Sequence, residues 1–329
     1  MNVFSFNKDG YDPFIDFLKA YSILFVVIGH CLPVALYNYT LFWVWGGMQV
    51  PMFILIQTFH VYKKGVQPKL NWVNLLKRIF LPFVTVQFLI IGYKALTGDF
   101  LWTIFITSGG YGRGSYYIWI YLQIAFLLVL LWPWLRKLSL NQALISFLIL
   151  SIVFEFLFSV IDCPSWLYRL LCVRYIFLIP LGLIWVEKGI LMNLRTVMLS
   201  ILSIFAVLFF VFTNYDLEPF FFNTGWKIHR WLCYFYIPFL LTYGLWLLFG
   251  IIKKSDLALS VIKETAKSSY EIYLIQMLVF VMFPIHTLSF IPSTIIRLPI
   301  WMLLTFFMSV VGGILFNRVI QSLFVVKRK

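Results

Sequence analysis

Residues 16–30 read DFLKAYSILFVVIGH, an acid and a lysine, then ten uncharged residues from Ala20 to Gly29, then a histidine. A stretch this apolar fits a helix buried in lipid, and its polar ends are what need explaining. Composition puts the rest of the chain in the same environment. Of 329 residues, 62% are hydrophobic and 12% charged, and the mean hydropathy is +0.94, far outside soluble globular proteins. The expected fold class is therefore all-α, a polytopic membrane protein whose helices of about 20 residues each cross a hydrocarbon core of roughly 30 Å. Little chain is left for a soluble region, so residues 1–329 are expected to form a single membrane domain.

Apolar runs bounded by charge, Pro or Gly give ten candidate transmembrane helices, at 14–35, 41–61, 80–97, 115–135, 141–161, 168–186, 194–213, 230–252, 269–287 and 294–323. Lys and Arg provide a test independent of hydropathy, because they gather in alternate loops. Seventeen fall on one side, among them Lys63, Lys64, Lys69, Lys77, Arg78, Lys253 and Lys254, against seven on the other, among them Lys94, Arg113, Arg169, Arg174 and Arg297. That alternation predicts cytoplasmic termini for this multi-pass chain and accounts for its net charge of +14 through topology, so nucleic acid is not an expected partner. The N-terminal MNVFSFNKDGYDP lacks the pattern of a cleaved signal peptide. Cys163, Cys172 and Cys233 map to outward-facing ends, and free thiols are the expected state.

Orientation gives the opening stretch a depth. Its helix runs outward from the cytoplasm, so Lys19 lies near the inner face and His30 near the outer one. Eleven positions make close to three turns, which puts both side chains on one face about 16 Å apart. Asp16, one turn before Lys19, is placed to pair with it. The alternative is that Asp16 and Lys19 only anchor the interface while His30 bonds a carbonyl.

Other polar groups favour chemistry. Glu155 sits mid-span in SIVFEFLFSV, where a carboxylate is costly and usually faces the bundle interior; its partner is not legible from the sequence. Lys63, Lys64, Lys69, Lys77 and Arg78 crowd the loop between the second and third spans. They suit either a phosphate-bearing ligand or anionic lipid. The glycine-rich TSGGYGRGS at 107–115 lacks a preceding strand and a dinucleotide fingerprint, and reads as a loop leading into the fourth span. Among the histidines, His60 and His286 lie at span ends and His229 precedes a span, leaving His30 as the candidate base. Cys31 is about 100° around the helix from His30, which argues against a Cys–His dyad.

An Asp two residues before a Leu-basic pair, ten intervening residues and a His in the first helix resemble acyltransferase family 3, a family of integral membrane acyltransferases. LLKRIFLPF at 75–83, GSYYIWIYLQIAFLL at 114–128, RYIFLIPLGLIWVEKG at 174–189 and SSYEIYLIQ at 268–276 resemble further family segments in the same order. The chain departs from the pattern twice, with Lys19 where the family usually has Arg and Gln276 where it has a late His. Lysine keeps the charge but loses the planar fork of arginine, and Gln276 cannot serve as a base.

The resemblance implies transfer of an acyl group, most often acetyl, from cytoplasmic acyl-CoA to a hydroxyl on a carbohydrate, cell-envelope glycan or lipid-linked acceptor. The expected setting is a bacterial cytoplasmic (inner) membrane, with surrounding lipid as the other partner and no metal. His30 is the expected base or transient acyl acceptor, assisted by Lys19 and Glu155, with donor binding by Lys19, Lys63, Lys64, Lys69, Lys77 and Arg78. A transporter or flippase using Asp16, Lys19, His30 and Glu155 as a proton or substrate path is the competing reading. The prolines show no paired pattern between two halves, which favours the enzyme.

Overall fold

The computed structural model describes residues 12–33, 36, 40, 42–46, 48–190, 194–212 and 228–324. Among these, all regular structure is helical. Helix α1 (Pro13–Cys31) starts at Asp12, whose carboxylate accepts the Phe14 N–H at 2.9 Å, with Pro13 in the first turn where its missing donor costs nothing. A helical turn at Phe42–Trp45 leads to α2 (Gln49–Tyr62). Next come α3 (Trp72–Leu96), α4 (Trp102–Ser108), α5 (Tyr117–Leu135) and α6 (Leu140–Val160), the last opened by a capping box between Ser139 and Gln142. After α7 (Ser165–Leu170) follow α8 (Leu178–Lys188), α9 (Leu194–Phe212), α10 (Ile228–Ile252), α11 (Asp256–Lys267), α12 (Ser269–Met282) and α13 (Thr294–Phe324).

Among the described residues, five helices are long and apolar enough to cross a membrane: Pro13–Cys31, Trp72–Leu96, Tyr117–Leu135, Leu140–Val160 and Thr294–Leu323. Leu194–Phe205, Ile237–Ile252 and Ser269–Met282 are shorter apolar segments. Large apolar side chains stand on the outside, Phe88 at 70% exposure and Leu247 at 66% among them, as expected where lipid rather than water is the solvent. The chain is an all-α polytopic membrane protein.

Each of the ten predicted spans contains helix, but several are broken. The sixth is split into α7, a 3₁₀ turn at Cys172–Tyr175 and the 11-residue α8, which covers only about 16 Å along its axis. The ninth ends at Met282 and continues as a 3₁₀ turn, Ile285–Leu288. A π-helical turn at Leu76–Phe80 opens the third. Helix α11 was not anticipated as an element; Ser255 caps it and it carries charge along its length. The expected cytoplasmic placement of the two chain ends concerns residues 1–11 and 325–329, which lie outside the described residues.

Helix α1 packs against α2, α11, α12 and α13, so neighbours from both ends of the sequence surround its Lys19–His30 face. Helix α12 packs closely on α13, where a Cβ added at Gly313 would lie 2.4 Å from the Ile272 Cα. Small residues permit this backbone contact, the usual route to tight helix pairs in lipid.

Candidate active site

A cavity of about 490 Å³ runs between α1, α2, α5 and α12, lined by Lys19, His30, Gln49, Gln57, His60, Tyr117, Tyr121, Tyr270 and Tyr273 with apolar residues between them. Both polar ends of the opening stretch therefore face one space. Lys19 Nζ lies 3.5 Å from Asp16 Oδ1, and the pair is half-buried.

His30 is held on three sides. Its Nδ1 is 2.8 Å from Gln276 Oε1. The Gln276 amide donates from Nε2 to the Arg113 carbonyl at 3.2 Å, which turns Oε1 towards the ring. A carbonyl oxygen only accepts, so the neutral imidazole carries its proton on Nδ1 and keeps a lone pair on Nε2. Arg113 donates to the His30 carbonyl and lies over the Phe280 ring at 5.2 Å. The same ring meets His30 edge-on, with centroids 6.0 Å apart.

The third side is the glycine-rich segment. Gly109, Gly110, Gly112 and Gly114 all have positive φ, a conformation costly for residues with a Cβ. The backbone thereby folds onto α12: a Cβ at Gly112 would meet Met277 Cβ at 2.6 Å, and one at Gly114 would lie 3.5 Å from His30 Cε1. Gln87 clamps the segment, donating to the Tyr111 carbonyl at 3.0 Å and accepting its N–H at 2.7 Å. Tyr273 donates to the Gly114 carbonyl. The segment is a loop, as read from the sequence, and it also walls the histidine.

Glu155 does not line this cavity. It is fully buried and accepts the Tyr168 hydroxyl, which supplies the partner that the sequence left unnamed. Arg169 and Arg174 lie over the Tyr116 ring at 5.7 and 5.8 Å, and Tyr116 reaches the cavity. Of the predicted loop cations, Lys64, Lys69, Lys77 and Arg78 are exposed, and half-buried Lys63 lies over Phe59 at 5.7 Å. They stand outside the cavity, with Lys63 following α2 at the end where His60 enters it.

Cys31 is buried with its Sγ 3.3 Å from Thr305 Oγ1, and Cys31, Cys163 and Cys172 are free thiols; the Cys233 side chain lies outside the described residues. Among the described residues no group of three His, Cys, Asp or Glu side chains is arranged to hold a metal.

Fold and site together define an integral membrane protein whose internal cavity holds an oriented imidazole, His30. A family model for an acyltransferase domain matches residues 12–318, nearly the whole chain, so the chain belongs to acyltransferase family 3 and is a membrane acyltransferase. No curated protein and no solved structure matches it.

Two features were not legible beforehand. Gln276 was read only as a lost base, yet its side-chain oxygen bonds the His30 ring. The glycine segment did carry a signal, four glycines within residues 109–114, but nothing in that pattern says which helix it covers.

Proposed function

We propose that this acyltransferase works in the bacterial cytoplasmic membrane as an O-acyltransferase, taking acetyl from cytoplasmic acetyl-CoA and placing it on a hydroxyl of a carbohydrate, cell-envelope glycan or lipid-linked acceptor. The observation that carries the reading is that Lys19 and His30 line one cavity. The cation suits the donor arm, and Lys63, Lys64, Lys69, Lys77 and Arg78 at the same end suit its nucleotide phosphates through charge-assisted contacts. Apolar walls between the two ends accommodate the thin pantetheine chain and keep water from the thioester.

His30 Nε2 takes the proton of the acceptor hydroxyl as its oxygen attacks the thioester carbonyl. A C–O bond forms, the C–S bond breaks, and the proton passes from the imidazolium to the departing thiolate, so CoA leaves as the free thiol. Lys19 holds the donor, with Asp16 compensating its charge. Glu155, away from the cavity, acts through Tyr168 as a positioning group.

The test uses purified protein in lipid nanodiscs with radiolabelled acetyl-CoA and the glycan and lipid fraction of the cell envelope. The expected product carries one added acetyl group by mass spectrometry. His30→Ala should slow its formation by roughly 10² or more, the usual effect of losing a general base, while CoA still binds. Lys19→Ala should instead weaken donor binding, and Lys19→Arg should retain it. Full activity in His30→Ala removes the proposed base, whereas a flux of solute with no acylated product returns the transporter reading.

A further inference from the structure

Five tyrosines line the cavity: Tyr116, whose ring lies under Arg169 and Arg174, Tyr117 and Tyr121 on α5, and Tyr270 and Tyr273 on α12. Two are committed to the fold: Tyr270 donates to the Ile79 carbonyl at 2.6 Å and Tyr273 to that of Gly114. The hydroxyls of Tyr117 and Tyr121 have no hydrogen-bond partner among the described residues, and neither is among the atoms sealed off inside the protein. A phenol in an apolar cavity normally finds a partner, so an open one marks the place of a ligand acceptor.

The surroundings of Tyr117 say which acceptor. Its N–H donates to the Gly114 carbonyl at 2.8 Å, and Gly114 abuts Cε1, the ring carbon next to His30 Nε2. The Tyr117 ring packs edge-on against Tyr273, with centroids 5.6 Å apart. As the first residue of α5, its side chain leans towards the helix N-terminus, which is the His30 end of the cavity. Tyr121 lies one turn farther from that end.

We infer that Tyr117 is a catalytic residue whose hydroxyl donates to the thioester carbonyl oxygen as that oxygen becomes negative. The inference rests on the acyl-CoA reading given above. When the acceptor oxygen attacks, the carbonyl π pair moves onto the oxygen, which accepts the Tyr117 O–H. On collapse the pair returns and the C–S bond breaks. The phenol keeps its proton throughout, and the only proton transferred travels through His30. A donor fixed in a low-dielectric space acts on the charge that develops in the transition state and much less on the bound ground state.

The transfer assay with acetyl-CoA and the envelope fraction tests this. Tyr117→Phe should lower kcat by about 10²–10³-fold, the usual cost of one oxyanion donor, with the KM for acetyl-CoA within about threefold. Fluorotyrosine at position 117 is isosteric and guards against misfolding. It keeps the O–H donor, so it should restore at neutral pH most of the activity that Tyr117→Phe loses. A Tyr117→Phe protein with kcat within about threefold of wild type, or a fluorotyrosine protein as slow as Tyr117→Phe, overturns the inference and leaves the acyl-CoA reading standing. Wild-type protein that forms no acetylated product overturns the acyl-CoA reading and the inference with it.

Discussion

Which ring nitrogen of a neutral histidine keeps its lone pair free is set by what the other nitrogen bonds, and at His30 that partner is Gln276. The amide is fixed at both ends, on Arg113 and on His30 Nδ1, so the ring is held in one tautomer and one orientation. Gln276→Leu removes the acceptor and frees the ring to present either nitrogen. Its kcat should fall by about 10-fold or more, the KM for acetyl-CoA should stay close to wild type, and Gln276→Glu, which keeps an acceptor there, should recover part of the loss. Steady-state kinetics of the three proteins decide it. An unchanged Gln276→Leu protein would show that the histidine is oriented by its other contacts.

At the scale of elements, the site is hung on helix pairs brought together by glycine. Tyr273 and Gln276 sit on α12, which α13 supports through Gly313, where any Cβ collides with the Ile272 backbone. Gly313→Val must separate the two helices. A loss of about 1–3 kcal/mol is expected, the typical cost of overpacking, with acyl transfer falling in parallel because α12 carries the partners of His30 and Gly114. Gly92, by contrast, has open space where its Cβ would be. There Gly92→Ala should be neutral or stabilising by about 0.5–1 kcal/mol through the lower chain entropy of alanine. Thermal unfolding in detergent, followed by size-exclusion fluorescence, compares the two.

For the whole molecule, the proposed donor site requires the Lys19 end of the cavity to face the cytoplasm, as the alternation of basic loops predicts. Val66 lies in the loop after α2 and is 61% exposed, so it reports that side directly. In a background free of native cysteines, Val66→Cys should react with a membrane-impermeant maleimide only after the cells are opened. Labelling in intact cells would place the basic loop, and the donor entrance with it, on the outside.

The sequence by itself determined what depends on composition and on one helix at a time. Apolar content fixed the lipid environment and the all-α class, and helical periodicity put Lys19 and His30 on one face, because a rise and a turn per residue are local properties. The bundle's internal contacts belong to the tertiary structure. Gln276 reaches His30 across 246 residues, Tyr168 caps Glu155, and the glycine segment closes over α12. In water a polar outer face would mark which side of each helix turns inward. Here Leu247 faces outward at 66% exposure and Leu274 is fully buried, yet the two are the same residue, because lipid and protein core favour the same side chains. Hydropathy therefore finds the helices but not their inward faces, and only the packed chain decides which polar groups meet.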